Sequence, residues 1–112
     1  MSTSEAWRHR YAAKITTAGH AIRRIAPGQR IFVASGAAAP QALVEALVSD
    51  GAHLADNEVV HIMTRGPAPY ADPGMEARFR HLAYFIGENV RDAVQAGRAD
   101  FVPAFLSEVP RL

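Results

Sequence analysis

The sequence predicts an α/β protein with an open, mostly parallel sheet and flanking helices. Three observations carry that prediction: segments of helical and strand character alternate along the chain, the strands read as short apolar runs, and turn-forming residues stand at the junctions. With 112 residues, 49% of them apolar, the chain is long enough for one globular domain and too short for two of ordinary size.

Trp7, Tyr11, Ile15, Ala18, Ile22 and Ile25 recur every three or four residues, which predicts an amphipathic helix over 6–25 stopped by Pro27-Gly28. Arg30 to Ala34 is the first strand. It passes through Ser35-Gly36-Ala37-Ala38-Ala39 to Pro40, which suits the first turn of a helix, and Leu43, Val44, Leu47 and Val48 then line one helical face until Asp50-Gly51. This junction is the most informative feature of the chain. Its small side chains leave backbone N–H groups uncovered, and the helix start adds the positive end of a dipole, so the turn suits an anion or a developing oxyanion. Many α/β proteins use the same turn only for packing.

Asn57 to Thr64 has the composition of a second strand, buried on most of its length as a helix-covered parallel sheet requires. Arg65 to Gly74, with Pro67, Pro69 and Pro73, is a loop. Arg80 to Ile86 is a third strand, Asn89 to Ala96 a short helix closed by Gly97, and Asp100 to Pro103 a short fourth strand that its proline confines to an edge or a strand end. Ligands of open parallel sheets bind at the carboxyl ends of the strands. Ser35-Gly36, Thr64-Arg65-Gly66 and Gly87-Glu88-Asn89 all fall there.

Composition narrows the function classes. The absence of cysteine excludes a disulfide framework and a thiolate zinc site and fits a cytoplasmic location. No apolar stretch is long enough for a signal sequence or a membrane span, so no membrane partner is expected. Arg8, Arg10, Lys14, Arg23, Arg24 and Arg30 crowd the first part of the chain against the single acid Glu5, although the net charge is only +1. An anion-facing helix is one reading, and the solvated side of an amphipathic helix is the commoner one. Without basic and aromatic interleaving, no nucleic-acid partner is expected.

The chemistry-bearing residues are few. His9, His20, His53, His61 and His81 form no pair at helical or alternating-strand spacing, so no metal site is expected from them. His61, near the carboxyl end of an apolar strand, faces a pocket or is a hydrogen-bonded core histidine, the commoner case. Ser35 lies outside any G-x-S-x-G context and reads as a pocket hydroxyl or cap. The run Ser35 to Pro40 holds one glycine and matches neither nucleotide-binding loop, and no resident cofactor is expected.

The chain resembles the N-terminal part of the acetyl-CoA hydrolase/transferase family, grouped with the family I CoA-transferases that include acetate and 4-hydroxybutyrate CoA-transferases. The resemblance runs through Trp7, Tyr11 and Lys14, Ile25 to Phe32, the loop Ser35 to Pro40 with Leu43 to Leu47, and Val60 to Thr64, and is densest from Phe85 to Pro110. It implies a CoA-transferase-like fold, incomplete at the C-terminus, with residues 1–112 as a segment of that family's N-terminal domain.

It also implies transfer of CoA between short carboxylic acids, in acetate metabolism, through a glutamyl-CoA thioester, with CoA as substrate. Ser35, Gly36 and Ala37, with Ala38, Pro40 and His61, are the expected substrate-binding residues. The resemblance places the glutamate nucleophile in the second half of a longer protein. Glu45, Glu58, Glu88 and Glu108 do not match its context, so no catalytic residue is assigned and the chain alone is expected to be inactive. Ala39 and Ser35 stand where family members often carry an acid and a histidine, which leaves the acyl specificity open.

A chain ending after Phe105 to Pro110 with so few strands leaves apolar surface uncovered. The expected partners are therefore acyl-CoA, short carboxylic acids, and either a missing C-terminal half or a second copy. The alternatives are a non-catalytic acyl-CoA-binding or regulatory module and a structural remnant that pairs with a partner.

Overall fold

The structure is a computed structural model that describes residues 2–112; Met1, the first residue of the expected segment, lies outside the described residues. It opens with helix α1, Thr3–Arg10, started by a reciprocal cap in which the Ser2 hydroxyl accepts from the Glu5 N–H at 3.2 Å and the Glu5 carboxylate accepts from the Ser2 N–H at 2.8 Å.

The single helix expected over 6–25 is broken in the structure. After α1 come a 3₁₀ turn at Ala12–Lys14, extended backbone at Ile15, and a second helix, α2, at Ala18–Ile22. The cause is local. Ile15, Thr16 and Thr17 are consecutive β-branched residues, stiff at χ1, and the Thr17 hydroxyl offers the chain a cap by accepting from the His20 N–H at 3.2 Å. Trp7, Tyr11 and Ile15 consequently stand about half exposed, at 48%, 44% and 53%.

Four parallel strands follow: β1 (Arg30–Val33), β2 (Asn57–His61), β3 (Phe79–Ala83) and β4 (Ala99–Phe101). Their order in the sheet is their order in the chain, with Val33 opposite His61, His61 opposite Ala83 and Ala83 opposite Phe101. β2 and β3 stop earlier than the apolar runs suggested, because the residues up to Thr64 and Ile86 leave the sheet to build loops. β4 takes an edge, as Pro103 required.

Right-handed crossovers send all three connections of such a sheet over one face. That face carries α3 (Gln41–Ser49), a 3₁₀ turn at Pro69–Ala71 and α4 (Arg91–Gln95), which begins one 3₁₀ turn later than the helix expected from Asn89. The core forms beneath them, from Val33, Val59, Phe79, Ala83 and Ala99 of the strands with Ile22, Leu47, Tyr70 and Val90. Pro40 sits just before α3 rather than in its first turn. At the other end of α3, the Arg78 guanidinium donates to the carbonyls of Leu47 and Val48, each at 3.1 Å, and a side chain at Gly51 would collide with the Leu47 carbonyl.

The helices therefore flank only one face. Along β1, Val33 is 4% exposed and its neighbour Phe32 59%. The open face carries charge at the amino ends of the strands, where Arg30 pairs with Glu58 at 2.9 Å and the Arg80 Nε donates to Asp100 at 2.7 Å. Its carboxyl end is apolar. A 3₁₀ turn at Leu106–Arg111 returns to this face, bringing Val109, Pro110 and Leu112 toward Phe32, Val60 and Tyr84 around a space of about 390 Å³. Phe105 and Leu106 remain exposed in the C-terminal segment, as does Phe101 of β4, which shares the side of the sheet that carries Ala83 and Ala99.

Candidate functional site

The three loops at the carboxyl ends of β1, β2 and β3 meet, as the strand reading anticipated. Gly36 donates to the Met63 carbonyl at 2.9 Å and forms a parallel bridge with Thr64, so the β1 loop is stitched to the β2 loop. The β2 and β3 loops are joined by Asn89, whose Nδ2 donates to Thr64 Oγ1 at 3.0 Å and to the Gly66 carbonyl at 2.9 Å. Gln41, at the start of α3, donates to the Arg65 carbonyl at 2.8 Å.

Between the second and third loops lies a cavity of about 600 Å³, within the range of roughly 300–1,000 Å³ usual for small-molecule sites. Thr64, Arg65 and Gly66 line one side of it and Gly87, Glu88 and Asn89 the other, with Phe85 and Arg91 at its margin. The two loops approach closely at Gly87, where a Cβ would lie 3.0 Å from Asn89 Oδ1 and 3.5 Å from the Thr64 carbonyl.

Ser35, Gly36, Ala37, Ala38 and Pro40 do not line this cavity; they form the adjacent loop, bound to it through Gly36. The Ser35 hydroxyl is buried without a hydrogen-bond partner among the described residues, so it caps nothing here. His61 is also absent from the cavity wall. Its side chain points into the core with 0% exposure, where it meets a residue that local spacing did not connect to it.

That residue is His81. The rings cross edge to face with centroids 4.2 Å apart, and the two Nε2 atoms are separated by 3.2 Å. Both rings are held neutral. Burial, and secondly the neighbouring His81, push the His61 pKa down to about 3; burial lowers that of His81 against the opposing pull of the Val59 carbonyl and Asp100.

The hydrogen bonds then fix the proton on each ring. His81 Nδ1 lies 2.8 Å from the Val59 carbonyl, which only accepts, so Nδ1 carries the proton and Nε2 is bare. His61 must therefore donate from Nε2, leaving its Nδ1 as an acceptor. Two hydroxyls converge on that nitrogen, Thr64 Oγ1 at 3.1 Å and Tyr70 Oη at 3.2 Å. Burial raises the Tyr70 pKa, which keeps the phenol protonated as a donor. Thr64 thus links the histidine pair in the core to Asn89 at the cavity.

The pair escaped the sequence because its members come from different strands. The usable signal was parity: His61 shares the inward side of β2 with Asn57 and Val59, and His81 shares that of β3 with Phe79 and Ala83. Among the described residues no group of three His, Asp or Glu side chains is placed to hold a metal, and no helix is long and apolar enough to cross a membrane.

The sequence model described as "Acetyl-CoA hydrolase/transferase N-terminal domain" matches residues 1–112. The chain belongs to the acetyl-CoA hydrolase/transferase family. Relatives of this family member include a 4-hydroxybutyrate coenzyme A transferase of Clostridium kluyveri, 40% identical over 106 residues, which are 95% of this chain and 25% of that protein. A succinyl-CoA:acetate/propanoyl-CoA:succinate CoA transferase of Fasciola hepatica is 42% identical over 87 residues, 76% of this chain and 18% of the relative. The chain thus spans a quarter or less of the curated relatives it matches. The acetyl-CoA hydrolase/transferase segment also superimposes on the crystal structure of RipA from Yersinia pestis with a TM-score of 0.82 at 25% identity, covering 94% of this chain and 27% of that one.

Proposed function

We propose that residues 1–112 are the N-terminal segment of a cytoplasmic acetyl-CoA hydrolase or CoA-transferase that moves CoA between short-chain carboxylic acids, acetate among them. The match to the family's N-terminal domain along the whole chain carries this reading, and the two named CoA transferases among its relatives support it.

In this reaction a glutamate carboxylate attacks the thioester carbonyl carbon, the C–S bond breaks, and CoA leaves as a thiolate, giving an acyl-glutamyl anhydride. The thiolate attacks the glutamyl carbonyl, the acyl group departs as a carboxylate, and a glutamyl-CoA thioester remains. An acceptor carboxylate reverses the two steps and carries CoA away, whereas water releases free CoA and the glutamate. Each step passes through a tetrahedral oxyanion, for which one positioned donor is worth about 3 kcal/mol.

The nucleophile lies outside this chain. Glu58 is paired with Arg30, Glu108 caps the C-terminal turn by accepting from the Phe105 N–H, and Glu45 faces solvent on α3; Glu88 lines the cavity but does not match the nucleophile's context in the family. The contribution of residues 1–112 is a binding wall. Arg65 and Arg91 are the cations lining the cavity and suit the anionic parts of an acyl-CoA or a free acid. Ser35, Gly36, Ala37, Ala38 and Pro40 form the neighbouring wall, and His61 acts from behind it. CoA enters as substrate, with no resident cofactor.

The test compares the 112-residue chain with the chain joined to its downstream reading frame, incubated with acetyl-CoA and a short acid. The expected result is turnover, and a CoA adduct on a glutamate beyond Leu112, only for the longer protein. Sustained turnover by the short chain, or an adduct within it, would overturn the proposal.

A further inference from the structure

We infer that His61 and His81 are positioning residues for the cavity: their proton order sets the direction of the Thr64 hydroxyl, and through it the Asn89 amide that holds the β2 and β3 loops together. The inference rests on reading the cavity as the ligand site. It stands on four linked contacts, from Val59 O to His81, from His81 to His61, from His61 to Thr64, and from Thr64 to Asn89.

Direction is what the chain of contacts transmits. With His61 Nδ1 bare, the Thr64 proton points into the core and Oγ1 presents lone pairs to Asn89. Asn89 then has both Nδ2 hydrogens engaged, on Thr64 and on Gly66, which fixes the amide in one orientation and leaves Oδ1 without a partner among the described residues. If His61 instead carried its proton on Nδ1, the ring would donate to Thr64. The hydroxyl proton would be turned out toward the Asn89 N–H, donor against donor, and flipping the amide would set Oδ1 against the Gly66 carbonyl. Turning the hydroxyl proton to the Tyr70 oxygen would keep both contacts of Asn89 but strand the buried Tyr70 proton, which has then lost His61 Nδ1 as its acceptor, so every alternative leaves a donor unpaired. The bond from His81 to Val59 excludes them, because it dictates where both ring protons sit.

Residues that pack well would fill this part of the core without polar atoms at all. A buried pair of neutral imidazoles is retained at the cost of desolvating four ring nitrogens, and every one of the four has a partner. Among the described residues, the hydrogen bonds of this network lead toward solvent through Thr64 to Asn89, at the cavity.

The test uses nitrogen-labelled 112-residue protein and NMR. The expected spectrum shows the Nδ1–H tautomer for His81, the Nε2–H tautomer for His61, and slowly exchanging Asn89 side-chain amide protons. Opposite or averaged tautomers overturn the inference without any variant. Thr64→Val, which keeps the shape and removes the hydroxyl, is expected to leave both tautomers in place and speed Asn89 amide exchange about fivefold, the worth of one hydrogen bond. Titration with CoA separates the two ideas. In the unsubstituted protein CoA should shift the Gly66 and Asn89 signals, and Thr64→Val should weaken that binding about fivefold. Absence of any shift at these residues overturns the cavity as ligand site, whereas a shift of unchanged affinity in Thr64→Val overturns the positioning role.

Discussion

Arg78 closes the C-terminal end of α3 by donating to the Leu47 carbonyl at 3.1 Å, thirty-one positions away in the chain. The same guanidinium donates to Val48 and stacks over the Phe79 ring at 4.9 Å, so it fastens α3 to the start of β3. Replacing it by methionine keeps the apolar stem and removes the donors. Arg78→Met should lower stability by about 2 kcal/mol, the usual worth of hydrogen bonds made by a charged group, read from urea unfolding followed by circular dichroism. A loss of only a few tenths would mean that water caps this helix equally well.

The histidine pair makes stability depend on acid. In the folded protein burial holds both pKa values below the ordinary histidine value of about 6.5, His61 at about 3, so as the pH falls below that value the unfolded chain binds more protons than the folded one. Stability is then fully present above about pH 6.5 and declines as pH falls, for His61 by up to about 1.4 kcal/mol per pH unit down to about pH 3, with His81 acting in the same direction. Tyr70, neutral across this range, and Asp100, paired with Arg80, are the other titratable groups at the pair. Urea midpoints at pH 7.5, 6, 5 and 4 check the slope. His81→Leu should flatten it.

Gly66 adopts φ +83° where the β2 loop turns beneath Asn89, a region costly for residues with a Cβ. Gly66→Ala should destabilise the protein by about 1–2 kcal/mol, with Gly66→Asn closer to the original because asparagine tolerates this backbone. Thermal melts of the two variants side by side provide the comparison, and equal melting temperatures would argue that the loop simply re-forms.

Phe32 stands 59% exposed on the sheet face that no α-helix covers, where it shares a cleft with Val60 and Leu112. Apolar surface of this kind drives association. Phe32→Asp should change stability little and shift the isolated chain toward monomer in analytical ultracentrifugation. An unchanged sedimentation profile would place any association elsewhere.

What was legible in the sequence follows from the range of the forces involved. β1, α3 and β2 were placed within a few residues, because each is encoded by a continuous apolar pattern and by neighbouring stop signals such as Asp50-Gly51. The helix over 6–25 misled because a correct apolar period at Trp7, Tyr11 and Ile15 ran across three β-branched residues that local stiffness turns into a break. The meeting of the Ser35, Thr64 and Asn89 loops followed from parallel strands alone. The link from Asn89 through Thr64 and His61 to His81 did not, since it depends on strand register, which the positions of the histidines do not reveal until β2 and β3 are aligned.

The strand order has a consequence for how the molecule is made. Each strand of this sheet pairs with the one synthesised just before it. When β2 emerges from a ribosome its template β1 is already outside, and the same holds for β3 and β4, so no strand waits for a later one to reach its place. The sheet grows at one edge, in the direction of translation, and the edge open last is β4, next to the residues with which the chain continues toward Leu112.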